Sequence, residues 1–314
     1  MVIKDILASS FNLFLFTAFV PINIAGATCR PEYRNLPGGL VHTACKPPNP
    51  NCIFVATGLS DVQKAEVLKA HNDLRSQVAQ GRLPGFPTAT NMYRLKWDDE
   101  LADVAQAFTN LCDDHHDKPE QRMTTKFPKV GQNLAWNWES TNTPVVHSSG
   151  RVKDWFDEYK DFNPGNVDPF RVSAGRVVTH FTQVVWAGTR YIGCGYTHFK
   201  LQQNPNPSLP FTKLFACNYG PGGNIIGTSM YKRGPPCSAC QNDTSCDSAS
   251  SLCHTPGDSD GIGDSTSGGG NGWIWTILPF LIIGFLAATA AGVGFYFLRS
   301  KSAAQPSQSE TIGG

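Results

Sequence analysis

Residues 214–225 read Leu-Phe-Ala-Cys-Asn-Tyr-Gly-Pro-Gly-Gly-Asn-Ile, and they start inside a short apolar run from Lys213 to Tyr219. A second run of this kind, Tyr191 to Tyr196, precedes it, and a connection rich in Pro and Asn separates the two. This pattern predicts two short strands that pair antiparallel. Because the pairing brings Cys194 beside Cys217, we expect a disulfide between these strands.

Helical periodicity is found in three other parts of the chain. Residues 61–80 begin with a capping box and residues 97–112 carry one apolar stripe, so both are predicted to be helices. A third stripe, residues 144–162, begins with a proline suited to a first helical turn and places Glu158 on its last turns. With residues 224–231 as a further strand, the expected fold class is α+β, with helices on a small antiparallel sheet.

The N-terminus has the features of a secretory signal peptide. Lys4 precedes an apolar run from Phe11 to Val20, and the small residues Ala25-Gly26-Ala27 follow it. We therefore expect residues 1–27 to be removed and the mature chain to begin at Thr28. An uncleaved anchor is the alternative, but the apolar run is short for a bilayer core of about 30 Å.

The C-terminal part contains a predicted membrane span. Trp273 to Leu298 is a run of 26 residues without a charge, and a helix of about 20 residues is enough to cross a bilayer. Arg299 and Lys301 follow directly and favour a cytoplasmic tail, which makes the chain a single-pass type I protein of the cell surface. A lipid anchor is the alternative, but 16 further residues follow the apolar segment.

Three small residues in this segment fall four positions apart. Gly284, Ala288 and Gly292 therefore share one face of the predicted helix. A second helix can approach such a face closely, so we expect self-association into a homodimer there, with the alternative that small residues are simply common in membrane helices.

The charge balance and the cysteine positions restrict the class of protein. Lys and Arg total 26, Asp and Glu total 25, and no dense basic run occurs, so nucleic acid is not an expected partner. All ten cysteines lie between Cys29 and Cys253, in the part that the two ends place in an oxidising compartment. Disulfides are therefore expected throughout.

Five motifs, in order along the chain, resemble those of the CAP superfamily, which comprises cysteine-rich secretory proteins, antigen 5 venom allergens and plant pathogenesis-related proteins. The motifs are residues 71–75 (HNDLR), 131–135 (GQNLA), 155–164, 180–186 (HFTQVVW) and 214–225. The insect antigen 5 branch looks closest, because residues 42–46 and the glutamine at position 132 are similar to that branch. The membrane segment is instead similar to the glioma pathogenesis-related proteins, so the branch stays open.

The resemblance implies an α-β-α sandwich with a central cleft lined by two histidines and two acidic residues. Carried over to this chain, the histidines are His116 and His180 and one acid is Glu158. The other position is Gln132, where many family members have glutamate.

This cleft suggests a metal site. Two imidazoles and a carboxylate can hold Zn²⁺, so His116, His180 and Glu158 are the candidate ligands, although no required cofactor is expected. Gln132 cannot take a proton and thus cannot act as a general base. No Gly-x-Ser-x-Gly elbow occurs either, so no catalytic residue is predicted. Without the resemblance, the scattered histidines look like ordinary polar residues.

Other residues have structural interpretations. His71 lies on the apolar face of the first predicted helix and is expected to be a hydrogen-bonded core residue, whereas His115 is expected to be exposed. Trp155, Phe156 and Tyr159 are either core residues or the wall of a lipid groove, and their helical spacing favours the core.

The resemblance also implies the remaining disulfide pairs. In the antigen 5 pattern, Cys29 pairs with Cys45 and Cys52 pairs with Cys112. The segment after the main domain resembles the hinge of cysteine-rich secretory proteins, whose alternating pattern joins Cys237 to Cys246 and Cys240 to Cys253. In a reducing compartment the same spacing suggests a zinc ribbon. Asn242 is in the one acceptable glycosylation sequon of this hinge.

The expected organisation has seven parts. They are a signal peptide (1–27), a cysteine-containing N-terminal extension (28–57), a CAP domain (58–233), a cysteine-rich hinge (234–256), a flexible stalk (257–272), a transmembrane helix (273–298) and a cytoplasmic tail (299–314).

Three functions follow from this organisation. The preferred one is a non-catalytic binding protein, tethered at the cell surface, whose cleft takes a lipid, a sterol or an extracellular protein. The alternatives are a metal-dependent hydrolase that uses the His and Glu side chains of the cleft, and an adhesion module in which the cleft is vestigial.

Overall fold

The computed structural model describes residues 29–143, 147–172, 175–204, 206–257 and 259–262. The signal peptide, the transmembrane helix with its small-residue face, and the cytoplasmic tail lie outside these residues, as does most of the stalk. Within them, no helix is both long enough and apolar enough to cross a membrane.

One five-stranded sheet forms the centre of the fold, in the order β1-β4-β5-β3, with β2 paired to β4. The strands are β1 (Cys52–Thr57), β2 (Lys96–Trp97), β3 (Gly131–Glu139), β4 (Tyr191–Leu201) and β5 (Phe211–Gly220). Every pair is antiparallel except β2 with β4. The predicted antiparallel pair, β4 with β5, is confirmed.

The predicted third strand at residues 224–231 is wrong. Asn224 has a φ of 58° and Gly227 a φ of 83°, and these left-handed conformations turn the chain instead of extending it. The third long strand is β3, which follows the edge of β5 in register from Gly131 opposite Tyr219. Its start was hard to recognise because the consecutive residues Gln132 and Asn133 are both polar and both buried.

Helices cover both faces of the sheet. The described part of the chain has four α-helices, α1 (Asp61–Ala79), α2 (Asp99–Thr109), α3 (Ser148–Asp157) and α4 (Thr179–Val184). α2 packs on β4 and β5, while α3 packs on both α1 and α4. α3 contacts the sheet where the Trp155 Nε1 donates to the carbonyl of Leu134 at 3.0 Å. The α+β sandwich expected from the sequence is therefore confirmed for this part of the chain.

The helix predictions differ in accuracy. The first two are confirmed, and α1 has the expected capping box between Ser60 and Gln63. The third predicted helix is too long: α3 ends at Asp157, and a 3₁₀ turn, Glu158–Asp161, follows it. Trp155 and Phe156 are 3% and 2% exposed and belong to the core, so they do not form a lipid groove.

Two glycines in β4 allow α2 to lie directly on the sheet. A Cβ atom at Gly193 would come within 2.1 Å of the backbone nitrogen of Ala102, and one at Gly195 within 2.4 Å of that of Gln106. Both contacts are far shorter than van der Waals distance, so only glycine allows this approach.

The segments at both sides of the main domain are part of the fold. β1 lies in the predicted N-terminal extension but pairs with β4, and Leu252 of the predicted hinge is in the main core. The stalk also differs from expectation: the backbone N–H of Trp97 donates to the carbonyl of Asp260, and Ile262 packs against the core. Apolar contacts and backbone hydrogen bonds thus extend the folded unit beyond residues 58–233.

The ten cysteines form five disulfides and none is free. The pairs are Cys29–Cys45, Cys52–Cys112, Cys194–Cys217, Cys237–Cys246 and Cys240–Cys253, the same five that the sequence suggested. A hairpin of β6 (Ser245–Asp247) and β7 (Leu252–His254) supports the hinge pairs. Asn242 is exposed, as glycosylation requires, and its glycan stays a prediction.

Arg75 is the largest fully buried side chain. Its guanidinium donates five hydrogen bonds, all to backbone carbonyls, which belong to Tyr93, Val184, Trp186, Ala187 and Thr189. Four of these residues span the C-terminal end of α4 and the turn that leads to β4. Burial lowers the pKa of Arg75 to about 9, so the side chain is still charged at neutral pH.

We expect the Arg75→Lys substitution to destabilise the protein by about 2 to 6 kcal/mol. An ammonium has three donors, so at least two of the five hydrogen bonds are lost, and each buried hydrogen bond from a charged group contributes about 1–3 kcal/mol. Urea unfolding followed by circular dichroism measures this difference. The control is Arg82→Lys at an exposed position, which should change stability by less than about 0.5 kcal/mol. Equal losses of stability at the two positions would show that the five hydrogen bonds of Arg75 do not contribute to stability as proposed.

Candidate functional site

The four predicted cleft residues come from four different elements. His116 is in the loop after α2, Gln132 is the second residue of β3, Glu158 directly follows α3, and His180 is the second residue of α4. The structure joins them as two hydrogen-bonded pairs, His180 with Glu158 and His116 with Gln132.

The carboxylate of Glu158 holds the first pair through hydrogen bonds to His180 and to the start of α4. The Nδ1 of His180 lies 2.6 Å from Oε1 of Glu158. The other carboxylate oxygen, Oε2, accepts the backbone N–H groups of His180 and Phe181 at 3.1 and 3.2 Å. An ionised carboxylate only accepts hydrogen bonds, so Nδ1 of His180 carries a proton, and in the neutral ring the lone pair is on Nε2.

Two side-chain amides in series determine which atom donates and which accepts in the second pair. The Asn218 Nδ2 donates to the carbonyl of Leu101, which can only accept, so Oδ1 of Asn218 faces Gln132 and accepts from its Nε2 at 3.2 Å. The Oε1 of Gln132 then faces Nδ1 of His116 at 2.7 Å. Because this oxygen can only accept, His116 also carries its proton on Nδ1 and leaves Nε2 free.

A third set of bonds connects the pairs to the core. The Nδ1 of His71 lies 2.8 Å from the carbonyl of Val67, which makes Nε2 the acceptor for the Tyr219 hydroxyl at 2.9 Å. The amide of Asn133 donates both to that hydroxyl and to the carbonyl of His180. Burial lowers the pKa of His71 to about 3, so this histidine is neutral and structural, as predicted.

The loop that carries His116 is held by a buried ion pair. The carboxylate of Asp117 accepts from the guanidinium of Arg122 at 2.8 Å, and their side chains are 2% and 10% exposed. Arg122 also donates to the carbonyls of Asp117 and Val130, and Thr43 of the N-terminal segment donates to Asp117. The residue next to His116 is therefore fixed from three directions.

Electrostatics favours the neutral form of His116. Its outer edge is exposed, but the surrounding protein partly buries the ring, and this burial lowers the pKa of His116. The hydrogen bond to Gln132 opposes the shift, while the positive charge of Arg122 adds to it. At neutral pH the Nε2 lone pair of His116 is therefore available.

A cavity of about 760 Å³ lies beside the second pair. His116, Gln132, Gln183, Lys129, Gly223 and Ile225 contribute to its lining. His180 and Glu158 are not among the lining residues, so this cavity adjoins only the His116 and Gln132 pair of the predicted cleft.

The predicted three-ligand metal set is not assembled. Among the described residues, one group of three side chains has its potential ligand atoms within 4.8 Å of one another, and it consists of the exposed Asp113, Asp114 and His115. His116, His180 and Glu158 are not such a group, and both oxygens of Glu158 accept hydrogen bonds from His180 and the start of α4. Glu158 is therefore a partner of His180 and not a third ligand beside it.

Several supporting residues were missed from the sequence. Asn133, Gln183 and Asn218 lie inside the motifs that carried the resemblance, but their roles depend on contacts across the sheet. Gln183, for example, accepts from the backbone N–H of Gly223 and donates to Thr189. In the sequence, the adjacent amides Gln132 and Asn133 are the feature that could have indicated supporting residues, since two buried amides need several hydrogen-bond partners.

Comparisons with known proteins show one family and several relatives. The family model described as CAP, cysteine-rich secretory protein family, matches residues 68–219. Venom allergen 5 of Vespula vidua is 40% identical over 210 residues, which cover 63% of this chain and 95% of that protein. A CRISP/Allergen/PR-1 protein of Trittame loki is 37% identical over 242 residues, but the match spans only 57% of its length and 76% of this chain. A cysteine-rich venom protein of Tityus serrulatus is 38% identical, with 56% of its length and 75% of this chain covered.

Solved structures show the same fold. BmVAL-1 superposes with a TM-score of 0.52 and 29% identity, over 62% of this chain and 95% of that one. A crystal structure of NaASP2 with Zn²⁺ superposes with a TM-score of 0.51 and 29% identity, over 63% of this chain and 97% of that one.

Proposed function

The chain belongs to the cysteine-rich secretory protein (CAP) family and is of the extracellular, venom-allergen-like type, and on that premise we propose that it is a binding protein whose two cleft histidines hold a divalent metal ion. The observation that carries the proposal is the shared tautomer of His116 and His180. Each ring donates Nδ1–H to a side-chain oxygen of the protein, and in protein metal sites such a bond orients a histidine and leaves Nε2 to the metal.

The residues fit a Zn²⁺ ion with a small ligand set. Two imidazole nitrogens from the protein would hold it, and neither Nε2 has a hydrogen-bond partner among the described residues. Gln132 and Glu158 would support the ligands from behind, one neutral and one charged. When bound, the ion would act as a Lewis acid and join the loop after α2 to α4. A crystal structure of the relative NaASP2 contains Zn²⁺, which supports the choice of metal.

Binding without hydrolysis is the function that these side chains favour. Both groups of the Gln132 amide are used, one on His116 and one on Asn218, and an amide cannot accept a proton from water. Glu158 already accepts three hydrogen bonds. Neither side chain is placed as a free general base, so we propose that the protein is not an enzyme.

We propose a protein ligand for the cavity beside His116. Its lining combines the charged side chains Glu120 and Lys129 with the apolar residues Pro128, Val130 and Ile225. Such a mixture is typical of surfaces that bind another protein. A sterol retained by the purified protein in stoichiometric amount would contradict this choice.

We expect one Zn²⁺ to bind per chain, with lower affinity than at a four-ligand structural site. Isothermal titration at pH 7.5 measures this binding, and the His116→Ala, His180→Ala double variant should lose at least about 100-fold in affinity. Glu158→Gln should lose about 10- to 100-fold, the usual effect of removing a ligand's supporting carboxylate. Because the pKa of His116 lies below the ordinary value of about 6.5, affinity should persist at pH 7 and be lost by about pH 5, where protons compete for Nε2.

The matched control for this titration is His115→Ala. His115 is next to His116 in the chain but belongs to the exposed group with Asp113 and Asp114, so its loss should leave zinc affinity unchanged. Zinc binding that survives in the double variant and disappears in His115→Ala would assign the ion to the exposed group and refute the cleft site.

We also propose that the chain is tethered to the cell surface as a type I protein. The support is the uncharged run from Trp273 to Leu298, followed by Arg299 and Lys301. The small-residue face at Gly284, Ala288 and Gly292 is proposed as the contact of a homodimer within the membrane.

Alkaline carbonate extraction of cells that express the chain tests the tether. The full chain should stay in the membrane pellet, and a variant that ends at residue 262 should be released into the medium. Within the pellet, crosslinking should give less dimer for Ala288→Leu than for the parent. Carbonate release of the full chain would contradict the tether, and an unchanged dimer yield in Ala288→Leu would contradict the proposed face.

A further inference from the structure

A second cavity lies at the first turn of α3. Its volume is about 30 Å³, and we call it the α3 cavity. The residues that define it here are Asn137, Glu139, Ser148, Arg151, Tyr196 and Lys213. None of the four cleft residues lines it.

Two buried hydroxyl groups line the α3 cavity without a partner. Ser148 is 2% exposed and Tyr196 is 3% exposed. Among the described residues, neither oxygen makes a hydrogen bond. Burial of a hydroxyl without a partner costs about 1–3 kcal/mol, so buried polar groups of this kind need an explanation.

A third residue near the cavity has the same property. His198 lies two positions after Tyr196 on β4, so both side chains point to the same side of the sheet. His198 is fully buried, and both of its ring nitrogens lack partners among the described residues. Its neighbour across the sheet is Lys213, which lines the cavity. Three side chains with unpaired polar atoms therefore cluster at this end of the sheet.

Two ion pairs lie at the cavity. Glu139 and Lys213 neutralise each other at 2.8 Å. Although burial by itself opposes ionisation, the hydrogen bonds from Lys213 and Asn137 lower the pKa of Glu139, so this pair stays charged. Arg151 donates one N–H to Asn137 at 2.8 Å and another to Asp154 at 3.1 Å. Asp154 is not among the lining residues, so the lining itself carries the cations Lys213 and Arg151 and the anion Glu139.

The first turn of α3 adds positive potential. The ten-residue helix begins at Ser148, and the side chain of its N-cap residue, His147, makes no capping hydrogen bond. The first N–H groups of a helix have no intrahelical acceptor, and they give that end a partial positive charge. A negatively charged species next to Ser148 is therefore favoured.

We propose that the α3 cavity is a binding site for a small anion of halide size, such as chloride. The volume is enough for one solvent-sized species and too small for a phosphate or an organic acid. The hydroxyls of Ser148 and Tyr196 donate to the anion, and Arg151 with the start of α3 supplies the charge. Burial raises the pKa of Tyr196, so its hydroxyl keeps the proton that it donates.

Thermal unfolding of the whole chain at constant ionic strength tests the site, with sodium gluconate replaced stepwise by sodium chloride. Chloride binds only the folded form, so the Tm should rise with its concentration. Ser148→Ala and Tyr196→Phe should each weaken the apparent chloride affinity at least tenfold. In gluconate alone, both variants should be at least as stable as the parent, since each removes an unpaired buried hydroxyl.

The matched control is Ser229→Ala. The Ser229 hydroxyl is also buried without a partner among the described residues, but it is not part of the α3 cavity. This variant should keep the full response to chloride. No difference between chloride and gluconate, or an equal chloride response in Ser148→Ala and the parent, would overturn the proposal.

Crystals grown in sodium bromide give an independent measurement. An anomalous peak within hydrogen-bond distance of Ser148 Oγ and Tyr196 Oη would support the site. A crystal in which bromide peaks occur only elsewhere would overturn it, even if chloride stabilises the protein.

Discussion

The buried guanidinium of Arg75 determines where α4 ends and where β4 begins. It brings together five carbonyls that point into the core, and four of them lie within the six residues from Val184 to Thr189. The carbonyls of Trp186 and Ala187 also accept backbone N–H groups, so Arg75 matters most for the other three carbonyls. His180 and Gln183 lie on the short helix that this segment follows, so the position of both depends on α1, the helix that carries Arg75.

The direction of the hydrogen bonds in the candidate site determines which nitrogen of each histidine carries the proton. One series starts at the carbonyl of Leu101 on α2 and passes through Asn218 and Gln132 to His116. Another starts at the carboxylate of Glu158 and ends at His180. Both leave a histidine with a proton on Nδ1 and a lone pair on Nε2. A glutamine and a glutamate therefore have the same positioning role, Gln132 for His116 and Glu158 for His180.

Much of the fold was predictable because the patterns that specify it are local. The capping box of α1, the stripe of α2 and the pairing of β4 with β5 follow from residues near one another in the chain. β3 was missed because its first residues are buried amides, whose partners come from other elements. The same reason limited the site: motif resemblance located His116, Gln132, Glu158 and His180, but only the structure shows that Glu158 supports His180 and that Asn218 orients Gln132.

The tautomer of the two cleft histidines tests the central claim most directly. Two-bond ¹H–¹⁵N correlation spectra of the metal-free protein at pH 7.5, labelled with ¹⁵N-histidine and assigned with His116→Ala and His180→Ala, distinguish a protonated Nδ1 from a protonated Nε2. The account predicts protonated Nδ1 and unprotonated Nε2 in both rings. A proton on Nε2 of either ring would contradict it, because that ring would then have no lone pair to offer to a metal ion in the cleft.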